Sequence, residues 1–229
     1  GLDPCTACEE GNVVHCRNFT RGPLGAGIHL GNSSKISGGF APRVAVHRSM
    51  CFPIPDDVPD EVAVLADPFY VALHAIGKAP PESGDQVVVV GCGAVGMMVI
   101  HILSRLYKDI EVLAVDRLPH LAKPIRELGA SRFTTKAGGA LIQEVAEWTK
   151  SEIHQPMHGP PWLMGGVPRV YDTVGTGGTL ETNLRLTRAG GRVVLVGVAS
   201  PKRFEWTPLY FKEVELIGSS GFGDEVVDG

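Results

Sequence analysis

Gly91, Gly93 and Gly96 stand in the run Gly91-Cys92-Gly93-Ala94-Val95-Gly96, spaced as G-x-G-x-x-G. That spacing suits a pyrophosphate. The first glycine permits a tight turn, the second lets an anion approach the backbone, and the third lets a helix pack closely on a strand. Ala94 and Val95 would open that helix, where free N–H groups and the helix dipole favour negative charge. Asp116 follows Gly96 by twenty residues (116 against 96), the place for a carboxylate that accepts hydrogen bonds from ribose hydroxyls. A carboxylate there repels the extra phosphate of NADP, so the pattern predicts NAD over NADP. Arg117 beside it softens that preference.

A second chemistry lies near the start of the chain. Three of the five cysteines, Cys5, Cys8 and Cys16, are crowded together, while Cys51 and Cys92 are isolated. Such clustering suggests metal ligation in a reducing, cytoplasmic compartment more than a disulfide framework. Histidines offer less. His74 sits on an apolar helical stretch and reads as packing, with a hydrogen bond to backbone. His154 and His158 are spaced as a helical pair, but Pro156 between them argues against the helix such a pair needs. His29 and His47 have no partner in view and are assigned no role.

These groups need a frame. Residues 86–90 read as an almost wholly apolar strand, followed by the glycine loop and a helix over 95–106. A second strand over 111–115 ends at Asp116, and a helix over 118–128 follows despite Pro119 and Pro124. Further strands are expected over 132–135, 169–173, 192–198 and 213–219, and helices over 140–149 and 179–186. Apolar strands alternating with amphipathic helices indicate a parallel sheet covered on both faces. Six such strands make an α/β, doubly wound Rossmann domain. Residues 153–168, rich in Pro, Gly, His and Met, read as an enlarged loop.

The N-terminal part is different. Residues 1–55 read as irregular structure and short strands, with a strand over 40–46. A helix is expected to start at Pro59-Asp60. Pro68 interrupts it, and a second helical stretch covers 69–76. Pro68 is expected to push Asp67 out of helical geometry and let its side chain turn into a cleft. Two parts follow: 1–80, part of a mostly-β catalytic domain, and 81–229, the NAD(P)-binding domain. The chain begins without Met and stops after a turn-rich stretch, which suggests a fragment of a longer enzyme, inactive by itself. A net charge of −4 gives no reason to expect nucleic acid or an anionic membrane as partner. The longest apolar runs, 87–90 and 193–198, are far too short to span a bilayer.

The order of several short stretches resembles the zinc-dependent medium-chain dehydrogenase/reductase family, the alcohol and polyol dehydrogenases. The stretches are Cys5, Cys8 and Cys16; Gly38-Gly39-Phe40-Ala41; Phe52-Pro53-Ile54-Pro55-Asp56; Ala66-Asp67-Pro68; Ala72-Leu73-His74-Ala75; the run from Val88 to Gly96; Tyr171-Asp172-Thr173-Val174-Gly175; Gly190-Gly191-Arg192-Val193; and Leu216-Ile217-Gly218-Ser219. The resemblance covers nearly the whole chain.

It implies two zinc sites. The structural one takes four cysteines in the family; Cys5, Cys8 and Cys16 match the last three, and Leu2 falls where the first would stand. Asp3, Glu9 or Glu10 are candidate substitutes, and an empty loop is the competing reading. At the catalytic zinc, Asp67 takes the position of the third protein ligand, while the family's Gly-His-Glu motif is absent from these residues. The resemblance also implies Val174 and Gly175 beside the adenosine-side ribose. It places Val196, Ser219 and Gly221 where backbone groups hold the nicotinamide amide. The implied reaction is zinc-assisted hydride transfer between an alcohol or polyol and NAD. Two alternatives stay open: a zinc-free enone or quinone reductase of the same superfamily, and a non-catalytic NAD-binding module. Expected partners are a small alcohol or carbonyl substrate and further copies of the chain, as a homodimer or homotetramer through the edge at 214–219, with neither nucleic acid nor membrane.

Overall fold

The computed structural model describes residues 3–18, 21, 38–46, 48, 51–199, 203–221, 223, 225 and 226. Leu2, His29 and His47 lie outside the described residues. The chain divides into two compact units, residues 1–65 with 226–229, and residues 66–225.

Among its described residues, the first unit has little regular structure. Helix α1 spans Thr6–Glu9, a single 3-10 turn covers Val13–His15, and helix α2 spans Asp60–Ala63. The strand expected over 40–46 is absent; that stretch is bent and irregular. The apolar side chains Phe40, Val44 and Val46 there are exposed, so they offer no buried face to reward strand pairing.

The second unit opens with helix α3, Ala66–Lys78. The expected break at Pro68 does not occur. Pro68 lies in the first turn, where its missing N–H would have had no intrahelical partner. Asp67 is therefore inside the helix and exposed, a correction to the expectation that proline displaces it. Strand β1 (Gln86–Val90), helix α4 (Ala94–Leu106) and strand β2 (Glu111–Val115) follow in the predicted register. The helix expected over 118–128 is split by its prolines into a 3-10 turn, Pro119–Leu121, and helix α5, Ala122–Glu127. Strand β3 is Arg132–Thr134 and helix α6 is Gly138–Thr149. The enlarged loop carries an antiparallel ribbon the sequence does not announce, β4 (Ile153–His154) against β5 (Trp162–Leu163). Strand β6 (Val167–Asp172), helix α7 (Gly177–Leu186), strand β7 (Thr187–Leu195), helix α8 (Thr207–Lys212) and strand β8 (Glu215–Gly218) complete the unit.

The main sheet has six parallel strands in the order β3-β2-β1-β6-β7-β8. Alternate residues of one strand serve opposite faces. Val87 and Val89 of β1 pack with α3 and α4, through Ala72, Ile76, Val99 and Leu103. Val88 and Val90 pack on the other face with α6 and α7, through Ile142, Val145 and Leu184. The chain order reverses between β1 and β6. Such a switch point leaves a crevice beyond the carboxyl ends of the strands, because the neighbouring connections leave to opposite faces.

Candidate functional site

The crevice is a cavity of about 960 Å³, lined by the glycine loop, the end of β2 and the turn after β6. Its shape comes from close packing. Gly91 has φ +86, and a Cβ there would stand 2.6 Å from Thr173 Oγ1. A Cβ on Gly96 would lie 1.9 Å from the Gly91 carbonyl oxygen, so only glycine lets α4 start this close to the turn. Gly93 differs from both: a Cβ on it would meet nothing within 4 Å. It borders the cavity, so the glycine there leaves space in front of α4 empty. No side chain caps that helix. Its first amides therefore face the cavity with no intrahelical partner. A bare cradle at an uncapped helix N-terminus is the shape a pyrophosphate needs.

Asp116 lies at the rim, half-buried. The Cys92 N–H donates to its Oδ2 at 2.7 Å and the Leu118 N–H to its Oδ1 at 3.0 Å. These bonds aim the carboxylate, and each oxygen keeps a lone pair for a further donor. The Cys92 thiol points inward and is inert: burial, with repulsion from Asp116, pushes it up to about 12. Of the residues singled out in the sequence, Gly91, Gly93, Ala94, Val95, Gly96, Asp116, Arg117 and Val174 line this one cavity. Gly175, Val196, Ser219 and Gly221 do not. Gly175 is buried, with φ +71 and the Gly197 carbonyl 2.1 Å from its would-be Cβ. The N–H groups of Val196 and Ser219 donate to Asp172 O and Leu195 O and so continue the sheet. What those two positions offer a ligand is a carbonyl or, at Ser219, a buried hydroxyl with no partner.

Sequence reasoning missed the residue that shapes the turn after β6. Asp172 is fully buried. Its Oδ1 accepts from the N–H groups of Val174 and Gly175, and its Oδ2 from Asn183 Nδ2, all at 2.9 Å. Only the topology, which places a strand end beside the glycine loop, could have revealed it. His74 is also corrected. Its Nδ1 meets Glu225 Oε1, a carboxylate and not backbone. The Gly223 N–H donates to Glu225 Oε2 at 3.0 Å. His154 stacks on Trp162 with centroids 5.3 Å apart, apart from any metal cluster among the described residues.

In the first unit the thiols of Cys5, Cys8 and Cys16 lie within 4.8 Å of one another. Cys5 Sγ and Cys8 Sγ are 3.7 Å apart. Two thiolates on a tetrahedral zinc, each about 2.3 Å from the metal, stand about 3.8 Å apart. The Arg17 N–H donates to Cys5 Sγ at 3.3 Å. That bond, with the polar main chain at Cys8 beside the sulfur, brings the Cys5 thiol down to about 6. At Cys8 a main-chain contact to Cys5 lowers the thiol, but the Cys16 and Cys5 sulfurs together raise it. Three thiolates so close repel, and a cation relieves that. The trio fits three corners of a structural zinc site. Among the described residues no histidine or carboxylate joins it, Asp3, Glu9 and Glu10 included, and Asp67 belongs to no such cluster.

The pattern of the zinc-binding dehydrogenases matches residues 94–228. The chain belongs to that family. It is 28% identical to L-idonate 5-dehydrogenase of Vitis vinifera over 93% of its length and 54% of the relative's. It is 29% identical to (R,R)-butanediol dehydrogenase of Saccharomyces cerevisiae over 96% of its length and 52% of the relative's. An alcohol dehydrogenase from E. coli CFT073, solved with NADH, superposes with a TM-score of 0.72 at 23% identity, over 96% of this chain and 58% of that one. The chain thus spans about half the length of the curated relatives it matches. Among the described residues no helix is long and apolar enough to cross a membrane.

Proposed function

We propose that the chain is the cofactor-holding part of a zinc-assisted, NAD-dependent alcohol or polyol dehydrogenase. One observation carries the reading: the bare Gly93, the uncapped start of α4 and the aimed Asp116 carboxylate all border one crevice at the switch point of a parallel sheet. In this reading the amides of Ala94 and Val95 hold the pyrophosphate and Asp116 accepts the ribose hydroxyls. Arg117 and Val174 border the ribose and base, and Gly175 keeps the turn after β6 close. Val196, Ser219 and Gly221 serve the nicotinamide end. When bound, the nicotinamide supplies the hydride chemistry and a catalytic zinc the Lewis acidity that favours alkoxide. The chain's own share is to fix the dinucleotide and exclude its competitor, because a carboxylate at the ribose opposes a 2′-phosphate.

Cys5, Cys8 and Cys16 would hold a structural zinc, completed by a fourth ligand. Asp67 would serve the catalytic metal from the first turn of α3. The substrate is a small alcohol or its carbonyl product, and the relatives' names point to polyols and diols. Residues 1–80 act with the catalytic part and 81–229 as the cofactor domain, in a cytoplasmic homodimer or homotetramer joined along the β8 edge. The sulfur spacing favours this over a zinc-free reductase.

Titration with NADH and NADPH, followed by quenching of protein fluorescence, tests the reading. Saturable NADH binding at least about tenfold tighter than NADPH is expected. Equal affinities, or no binding of either, would overturn it.

A further inference from the structure

His74 is a buried imidazole that does not line the crevice. It sits on α3 beside Ala72, Ala75 and Ile76, which pack into the core under the sheet. Its Nδ1 meets Glu225 Oε1. A carboxylate only accepts, so Nδ1 carries the proton and donates. The other carboxylate oxygen, Oε2, accepts from the Gly223 N–H at 3.0 Å. Burial works against a charge on Glu225, but the bonds from His74 and Gly223 outweigh it and hold the carboxyl below its ordinary value. One side chain thus grips α3 with one oxygen and its own loop with the other.

The grip closes a particular stretch of chain. β8 runs parallel to β1 through the intervening strands, so both end at the same edge of the sheet, where the dinucleotide crevice opens. Ser219 and Gly221 lie between the end of β8 and Glu225. The Ser219 N–H still donates to Leu195 O and so belongs to the sheet. Gly221 takes a left-handed turn, φ +65. Among the described residues, every hydrogen bond of the stretch beyond Ser219 is made at the His74–Glu225 clasp. A stretch tied at both ends is ordered before a ligand arrives. Released at one end, it must be ordered by the ligand, at a cost in affinity.

We propose that the His74–Glu225 pair is a clasp that presets Ser219 and Gly221 for the nicotinamide end of the dinucleotide, which makes His74 and Glu225 positioning residues. This rests on the NAD reading given above, in which Ser219 and Gly221 serve that end. The adenosine and pyrophosphate end is held by the glycine loop and Asp116, far along the sheet edge from β8, and does not depend on the clasp.

ADP-ribose separates the two ends, because it carries the adenosine, both phosphates and the second ribose of NAD but no nicotinamide. Calorimetric titration of NADH and of ADP-ribose is the test, on the unaltered protein and on three variants. Glu225→Ala is expected to weaken NADH about tenfold and to leave ADP-ribose within about twofold. His74→Ala is expected to do the same. His74→Asn puts an amide N–H where Nδ1 stands, and is expected to bring NADH back to within about threefold of the unaltered protein. Glu225 lies outside the core clusters, so its variant decides alone should His74→Ala fail to fold. If Glu225→Ala binds NADH like the unaltered protein, or loses ADP-ribose in the same proportion, the clasp is overturned while the NAD reading stands. An asparagine at 74 no better than a folded alanine variant would also overturn it. If the unaltered protein binds neither ligand, both readings fall.

Discussion

The glycine-loop crevice and the cysteine trio solve opposite problems. The crevice is built by packing: β1, β2 and β6 are pinned in register, and Gly91 and Gly96 let α4 approach to distances no side chain would allow. Its binding groups are neutral amides and one carboxylate, already aimed by protein hydrogen bonds. The trio has no such frame. A four-residue helix and a 3-10 turn bring Cys5, Cys8 and Cys16 together, and no buried residue of α1 supports them. Ionising its three sulfurs side by side is opposed by their mutual repulsion, which a cation would relieve. A site preorganised by packing should tolerate loss of its ligand, whereas one assembled from like charges should depend on it.

The largest expected effect breaks the packed site. Gly96→Ala drives a methyl into the Gly91 carbonyl, and is expected to weaken NADH binding more than about hundredfold and to cost about 1–3 kcal/mol in urea denaturation. Next comes the trio: Cys8→Ser is expected to lower bound zinc from about one per chain to near zero, by metal analysis, while NADH affinity stays within about twofold. A loss of both together would show that the sites are not separable. Asp116→Ala is smaller, a roughly tenfold weaker NADH with NADPH brought nearer to parity, read by the same titration. The smallest concerns titration at Cys5. Its thiol is depressed to about 6 by donors that favour the thiolate, so metal-free protein should gain alkylation rate as pH rises through about 6 and should lose the reactive form below it. Added zinc should suppress the reaction at every pH; an alkylation midpoint unmoved from an ordinary thiol's would contradict the geometry.

The crevice was largely legible in the sequence because its signals are local and redundant. An apolar run, three spaced glycines and an acid at the end of the next strand leave one way to fold. What escaped depends on distant partners. Helix α8 was unannounced because Tyr210 and Phe211 are exposed while Lys212 is buried, its Nζ donating to the carbonyls of Leu163, Arg185 and Thr187. The β4–β5 ribbon has two residues per strand, too few to show a period. The partner of His74 stands 151 residues away. Pro68 misled because the rule for the residue before a proline yields where that proline falls in a helix's first turn. The trio was legible as a cluster, but its missing fourth ligand was not replaced by any of the acids nearby in sequence.

Gly93 provides the most direct test. A valine there meets no protein atom within 4 Å of its Cβ, so the fold should be indifferent to it, yet its side chain occupies the space in front of α4. NADH titration and thermal melting of Gly93→Val beside the unaltered protein separate shape from stability. The expected result is an unchanged melting temperature with NADH binding weakened at least about thirtyfold. A folded Gly93→Val that binds NADH as tightly as the unaltered protein would contradict the crevice as the dinucleotide site.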